Sequence, residues 1–369
     1  VSPLRILQLY PKDDYFTGAA IQLRELARGL GERGHEVVVA TRPSEIWGAK
    51  ARELGVTHYA IPMTFAVDLR SARQLARIVR AHRIQVVHAH KGRARTLAML
   101  AGLFVRIPIM VLNRGVSFPL DSFNRLGYTT RRVTAIVAVC EAIKRELVAS
   151  GVPAAKIEVI YSGTDTARFR PEVDGRAVRA ELGLGPEHFL ITQIGVRSRK
   201  GNDDVIDAMA RVRADAPHAR LLIVGARRPA SLEDRARARG IAEVVRVLGY
   251  REDIPEVLRT SDCCVDASWA GHGLTGTLRE ALAVQTPVIA TALAGNPELV
   301  RDGVTGLLVP PRDARALAAA ILRLVADPEG GRAMGRAGRE LVVARFSTQV
   351  KVERTEALYR RLLEPILTR

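Results

Sequence analysis

Arg197, Arg199 and Lys200 put three cations into four residues of the run Gly195-Val196-Arg197-Ser198-Arg199-Lys200-Gly201. Such crowding is unfavourable without an anion. A diphosphate would relieve it and accept charge-assisted hydrogen bonds of ~1.5–3 kcal/mol each; a solvated basic loop is the alternative. A second run, Ser268-Trp269-Ala270-Gly271-His272-Gly273-Leu274-Thr275-Gly276-Thr277-Leu278-Arg279-Glu280-Ala281, leads from an apolar stretch into a helical pattern. Its mostly small residues from 273 to 277 let a ligand approach the backbone N–H groups that open a helix. Glu280, one turn inside, is in reach of a sugar hydroxyl, or it only complements the helix dipole. Thr17-Gly18-Ala19-Ala20 leaves similar bare N–H groups, an anion site or simply a tight turn. His88 and His90 alternate and so share a strand face. No acidic or cysteine partner lies near them in sequence, so no metal site is expected there.

These segments need strands to hold them. Short β-rich runs over 5–9, 36–40, 85–89, 109–112, 135–139 and 158–160 alternate with helical patterns over 19–32, 69–82 and 141–150. The rhythm restarts with runs over 189–194, 220–224, 244–248, 263–266 and 288–290. Repeated strand–helix alternation predicts mostly parallel, doubly wound sheets. The expected fold class is therefore α/β, with two Rossmann-like domains facing across a cleft. Each would bind ligands beyond the carboxyl ends of its strands. Residues 165–186, rich in Gly, Pro and charge and without a strand candidate, read as the hinge. The expected domains are 1–168, 169–346 and a C-terminal helix over 347–369 that packs back on one of them.

A chain of 369 residues suits two domains of this size. Its 47% hydrophobic and 26% charged composition is that of a globular protein. Aromatics at 5% argue against stacking on single-stranded bases. The three cysteines, Cys140, Cys263 and Cys264, are odd in number and lack CxxC spacing, which predicts neither disulfides nor structural zinc and points to a reducing, cytoplasmic setting. Residues 4–9 read as a first strand rather than a signal peptide. The longest apolar stretch, 97–112, is broken by Arg106 and Pro108, and its unbroken part falls far short of the ~20 residues that span a bilayer.

Arg197 with Lys200-Gly201, the run Glu280-Ala281-Leu282-Ala283-Val284-Gln285-Thr286-Pro287-Val288-Ile289-Ala290, and the block from Gly295-Asn296-Pro297-Glu298 to Val309 together resemble the family 4 retaining glycosyltransferases of the GT-B architecture. Arg33-Gly34-His35-Glu36-Val37, Val86-Val87-His88-Ala89-His90 and Ser162-Gly163-Thr164-Asp165 extend the likeness through the first half. The resemblance implies that Arg197 and Lys200 hold the donor diphosphate and stabilise the leaving group. It also implies that Gly273, Leu274, Thr275, Gly276 and Thr277 meet the distal phosphate and the sugar. Glu280 would bind the ribose hydroxyls, Gly18 and Ala19 would line the phosphates, His90 would lie near the reacting sugar, and Tyr250 and Arg251 would sit where the family holds the nucleobase. No metal or other cofactor is implied, since arginine, lysine and helix termini supply the electrostatics. The expected activity is hexosyl transfer from a nucleotide-diphosphate sugar to an acceptor hydroxyl, with retention, by front-face displacement. Alanine at Arg197 or Lys200 is expected to lower turnover more than tenfold.

One position departs from the pattern. The family has a glutamate eight residues before Glu280, where this chain has His272. A neutral histidine offers one hydrogen bond but no carboxylate charge. Either His272 substitutes in donor-sugar binding, or the chain is altered for another donor or impaired. A nucleotide-sugar-binding pseudoenzyme is thus one alternative, and a nucleotide-sugar epimerase on the same fold is another. Transfer measured for His272→Glu and His272→Ala decides whether His272 belongs to the site, and donor binding measured alongside turnover separates the pseudoenzyme.

Cations outnumber acids 56 to 39, a net charge of +17. Of this, +12 falls on residues 1–168, the presumed acceptor half. Lys91, Arg93 and Arg114 follow strand ends there and would steer an anionic or lipid-linked glycan acceptor. Arg70, Arg73, Arg77, Arg80 and Arg83 recur at spacings of three and four, mostly on one helix face. They suggest peripheral contact with the anionic cytoplasmic face of an inner membrane. No nucleic-acid recognition motif accompanies the charge, so no nucleic acid is expected as a partner.

Overall fold

The computed structural model describes residues 2–65, 67–118, 120, 122–271 and 273–367; for 122, 123 and 367 it describes the backbone alone. The chain forms two units. One holds the residues up to Gly163 together with those from Thr348 onward, and the other is Thr164–Ser347.

In the first unit the strands are β1 (Arg5–Leu9), β2 (Glu36–Thr41), β3 (Thr57–Ala60), β4 (Val86–His90), β5 (Ile109–Arg114), β6 (Ala135–Ala138) and β7 (Ile157–Val159). They lie in the order β3-β2-β1-β4-β5-β6-β7, every neighbouring pair parallel. The second unit has β8 (Phe189–Ile194), β9 (Ala219–Val224), β10 (Val245–Leu248), β11 (Cys263–Asp266), β12 (Val288–Thr291) and β13 (Leu307–Val309). Their order is β10-β9-β8-β11-β12-β13, again all parallel.

Parallel strands carry helices on both faces, so both faces of each strand must be apolar. In the second sheet Ile191, Leu221 and Ile223 enter one core cluster, while the alternate residues Leu190, Leu222 and Val224 enter another. In the first sheet Ile6, Val37, Val39, Val86 and Val111 build one face, covered by the helices Gly18–Glu32 and Thr348–Leu367. The C-terminal helix adds Val352, Leu358, Tyr359 and Leu363 to that cluster.

Two strands, β3 and β13, were not expected from sequence. β3 is an edge strand whose residues are all half-buried or exposed, so its composition carries no apolar signal. β13 has only three residues. Residues 165–186 contain no strand but do form a short helix, Arg176–Glu181. The segment is tied within the second unit: the Arg168 guanidinium donates to the Glu252 carbonyl, Arg339 to that of Phe169 and Arg259 to that of Pro171.

In each sheet the strand order reverses once, between β1 and β4 and between β8 and β11. Open α/β sheets bind ligands beyond the carboxyl ends of the strands at such a point. The segments that leave those ends are residues 10–19 and Lys91 in one unit and 195–201 with 267–271 and 273–276 in the other. Among the described residues no helix is long and apolar enough to cross a membrane.

Candidate active site

In the second unit the loop after β8 turns sharply. Gly195 and Gly201 both adopt positive φ, +94° and +64°, and the Lys200 N–H donates to the Arg197 carbonyl at 3.0 Å. Gln193 and Asn202 side chains donate to the Lys200 and Gly195 carbonyls and hold the loop from below. The two cations then diverge. Arg197 is exposed, and no side-chain partner of it occurs among the described residues. Lys200 is buried, its ammonium paired with the Asp266 carboxylate at the end of neighbouring β11. Asp266 also accepts from the Ser268 N–H at 3.2 Å. Sequence reasoning treated Asp266 only as the last residue of a strand. Its signal was present, since a carboxylate closing an apolar Cys-Cys-Val run needs a counter-charge.

Beyond β11 the chain opens the helix Gly276–Ala283. Thr275 stands at its N-cap without a side-chain capping bond, and the Thr275 hydroxyl is buried without a partner. The Ser268 hydroxyl, the Asn296 amide oxygen and the Gln193 amide oxygen are likewise buried and unpartnered around these strand ends. Buried groups left so are uncommon in a protein core and fit a place where a polar ligand completes them. Gly276 leaves the Glu280 carboxylate close to the helix start, since a Cβ there would lie 3.8 Å from its Oε1. Glu280 is half-buried. Burial raises its pKa above the ordinary value, against the pull of the Arg279, Arg168 and Lys200 charges. Arg279, which sequence reasoning passed over, is buried and donates to the Thr164 hydroxyl at 3.1 Å; burial lowers its pKa to about 10.

Of the residues expected at the nucleobase, Tyr250 is 67% exposed. Arg251 is engaged within the domain, gripping both carboxylate oxygens of Glu181 at 2.6 and 2.8 Å and both of Asp253 at 2.8 and 2.6 Å. Its side chain thereby anchors the helix Arg176–Glu181. His272 lies outside the described residues.

In the first unit Gly18 and Ala19 open the helix Gly18–Glu32 with no acidic residue in its first turn. Thr17 does not cap that helix. Its hydroxyl donates instead to Asp14 Oδ1 at 2.5 Å, where the Tyr10 hydroxyl also donates at 2.7 Å. Burial would raise the Asp14 pKa, but these two bonds and the Lys12 and Lys91 charges hold it below the ordinary carboxylate value. Lys91 follows β4 in a positive-φ conformation, with its Nζ 5.3 Å from the centre of the Tyr10 ring.

His90, the last residue of β4, is buried with Nε2 2.7 Å from Gln8 Oε1. His88 meets the Tyr359 hydroxyl at 2.6 Å. Arg93 donates to the Met63 carbonyl, and Arg114 donates to the Phe118 carbonyl beneath its contact with the Tyr128 ring. No group of three His, Cys, Asp or Glu side chains suited to a metal ion occurs among the described residues.

Known proteins carry the same two halves. Residues 16–168 match the Glycosyltransferase Family 4 domain and residues 188–327 match the Glycosyl transferases group 1 domain. A GDP-mannose-dependent alpha-(1-6)-phosphatidylinositol monomannoside mannosyltransferase of Mycolicibacterium smegmatis is 30% identical over 328 residues, covering 83% of this chain and 85% of that protein. A D-inositol 3-phosphate glycosyltransferase of Segniliparus rotundus is 36% identical over 217 residues, 56% of this chain, and this match spans only 47% of that longer protein. The crystal structure of Anabaena HepE in complex with UDP superposes with a TM-score of 0.85 at 20% identity, covering 96% of this chain and 99% of that one, a likeness of GT-B fold. With both domains matched and a 30% identical relative aligned over most of its length, the chain belongs to the family 4 glycosyltransferases.

Proposed function

We propose that the chain transfers a sugar from a nucleotide-diphosphate sugar to a hydroxyl of a lipid-linked or other cell-envelope glycan acceptor, with retention of anomeric configuration and without a metal. The observation that carries this reading is the convergence at the β8 and β11 ends of an exposed arginine, a buried lysine, an uncapped helix start and unpartnered polar atoms. A diphosphate needs such a set. As the bond from the anomeric carbon to the phosphate oxygen breaks, negative charge grows on the leaving group where Arg197 and Lys200 are fixed. Interactions that strengthen as charge develops favour the transition state. A cation ~4 Å away contributes roughly 4 kcal/mol at an effective dielectric near 20, before desolvation. In a front-face displacement the acceptor oxygen attacks from the side the phosphate leaves, and its proton passes to the departing phosphate oxygen. The names of the relatives support the donor and acceptor classes: GDP-mannose and a phosphatidylinositol mannoside for one, UDP in the solved HepE complex.

A thermal-shift screen of nucleotide-diphosphate sugars tests the reading. A donor at a hundred times its Kd adds about 2.7 kcal/mol to the stability of the native state. One nucleotide-sugar class is expected to raise Tm and also to support transfer. Binding without turnover would instead mark a pseudoenzyme, and no shift with any donor would remove the reading.

Glu280 gives the donor site a pH signature. The ribose hydroxyls donate to an ionised carboxylate, so donor affinity should fall as pH drops through the raised Glu280 pKa, above the ordinary ~4.3. Glu280→Gln is expected to raise the donor KM about tenfold, the worth of a hydrogen bond to a charged group, and to abolish that acid limb. The stability sign is opposite. A folded-state pKa above the unfolded one means that ionisation opposes folding, so at neutral pH Glu280→Gln should leave Tm unchanged or raised. A KM and acid limb identical to wild type would take Glu280 out of the donor site.

The acceptor side carries a basic face. On the helix Leu69–Ala81, Ser71, Ala72, Leu75, Ala76, Ile78 and Val79 are buried, while Arg70, Arg73, Arg77 and Arg80 are exposed, with Arg83 just beyond. Phe65, Val67 and Leu69, just before and at the helix start, are 69%, 66% and 45% exposed. A basic stripe beside exposed apolar side chains suits peripheral attachment to an anionic inner leaflet on its cytoplasmic side. Each cation near such a surface is worth ~1 kcal/mol. The double substitution Arg70→Ala/Arg77→Ala should therefore weaken binding to phosphatidylserine vesicles about thirtyfold. Salt-insensitive sedimentation, or none, would return the stripe to ordinary solvated surface.

A further inference from the structure

Four polar side chains are sealed into an otherwise apolar face of the first sheet. Gln8 of β1 stands opposite His88 of β4 in parallel register, and His90 lies two residues further along the same face. Tyr359 comes from the helix Thr348–Leu367 that covers it. Their exposures are 0%, 1%, 6% and 0%, among Ile6, Val86, Val352, Leu358 and Leu363. Apolar side chains would join this helix to the sheet without the cost of desolvating polar groups. A connected polar network in such a place has more to do than hold the two together.

The donors and acceptors can be followed atom by atom. The Gln8 amide oxygen only accepts, so His90 Nε2, 2.7 Å away, must carry the proton. The Gln8 NH2 donates to the Tyr359 hydroxyl at 3.3 Å. The tyrosine's own proton is then directed to His88 Nδ1 at 2.6 Å, which places the His88 proton on Nε2. The two imidazoles stack with their centres 4.5 Å apart. Burial pushes the His88 pKa down to about 3 and that of His90 well below its ordinary value, and the Lys351 charge adds to both. The charged or titratable groups acting on His90 are His88, Lys351 and Lys91, so nothing acidic favours its charged form. His90 Nδ1 has no partner among the described residues.

We infer that Gln8, braced by Tyr359, is a positioning residue that holds His90 as the neutral Nε2–H tautomer, so that its Nδ1 lone pair is presented to accept a hydrogen bond from a sugar hydroxyl. This rests on the glycosyl-transfer reading above. If the Gln8 amide were turned over, every bond would reverse: His90 would become the Nδ1–H form and offer a donor instead. The amide and the tyrosine couple both rings, so the two polarities exclude each other.

Long-range 1H–15N spectroscopy of the full-length protein with 15N-labelled histidine reads the tautomer directly, His90 being assigned by loss of its signals in His90→Gln. The expected spectrum shows a neutral Nε2–H ring at pH 7. Tyr359→Phe frees the Gln8 amide to rotate, and His90 should shift to a mixture of tautomers with kcat reduced about fivefold to tenfold and the donor KM unchanged. Gln8→Glu keeps an acceptor on Nε2 but favours the imidazolium, so a new acid limb in kcat should appear closer to neutrality. An Nδ1–H or mixed His90 in the wild type overturns the inference, as does a Tyr359→Phe variant with unchanged tautomer and kcat. Should the wild type turn over no donor, the glycosyl-transfer reading falls while the spectrum still decides the tautomer.

Discussion

Lys200→Ala is expected to lower kcat more than tenfold and to destabilise the second unit at the same time. The two effects have separate causes. On the glycosyl-transfer reading Lys200 lies where leaving-group charge develops, and a fixed cation lost there is lost mainly from the transition state. Its ammonium is also the counter-charge of Asp266, which is 1% exposed. Removing one partner of a buried ion pair typically costs 3–5 kcal/mol, because the other charge stays buried. The double variant Lys200→Ala/Asp266→Ala should recover most of that stability and none of the activity. Lys200→Arg should not rescue turnover, since a planar guanidinium does not fit the place of a compact ammonium enclosed by strand ends. Arg197→Ala provides the contrast. Its side chain is exposed, with no partner among the described residues. Turnover should again fall more than tenfold while stability stays within the range of a surface substitution, about 0.5 kcal/mol. Kinetics and thermal melts on the four variants resolve the pattern. Near-normal turnover in both single variants would remove the cations from the reaction.

What the sequence disclosed follows from the range over which each signal acts. β1, β8 and β11 are legible because Arg5–Leu9, Phe189–Ile194 and Cys263–Asp266 are short, mainly apolar and almost wholly buried runs, each leading into a loop rich in polar residues and glycine. β3 is silent because Thr57-His58-Tyr59-Ala60 lies at an edge, where burial does not select composition. The site follows the same logic. Arg197, Lys200 and Glu280 stand out by local spacing, and they follow the strands at which the order reverses, where open parallel sheets generally bind ligands. Their partners are long-range. Asp266 is 66 positions from Lys200, Glu181 is 70 from Arg251, and Tyr359 is 351 from Gln8. The His-x-His alternation announced a shared face but not that a glutamine and a tyrosine occupy it. Arg251 shows the same limit from the other side: its place after β10 was legible, whereas its engagement by Glu181 and Asp253 emerges only when the helix Arg176–Glu181 folds against it.

Gly201→Ala should be the most damaging single-atom-group addition in the loop after β8, and Gly18→Ala nearly harmless to the fold, although both glycines precede or open a helix beyond a central strand. Gly201 combines two constraints. Its φ of +64° lies in the left-handed region, which costs a non-glycine residue roughly 1–2 kcal/mol. A Cβ there would also overlap the Ala267 carbonyl oxygen, a backbone atom held by the end of β11. Overpacking of this kind adds about 1–3 kcal/mol, for a total of about 2–5 kcal/mol. The relief available is to push the loop away from β11, and that would pull Lys200 off Asp266 and Arg197 off its station. Donor affinity and turnover should therefore fall along with Tm. At Gly18 the φ is not in the positive range, and no heavy atom lies within 4 Å of the added methyl. The first turn of a helix accepts alanine readily, so stability should stay unchanged or rise by about 0.4–1 kcal/mol through the unfolded state. The paired melts decide whether close approach at the end of β11, rather than a general need for glycine at strand-to-helix turns, fixes the loop after β8. Equal losses at the two positions would overturn that account, and a Gly201→Ala protein with wild-type Tm and turnover would show that the loop can move without disturbing Lys200.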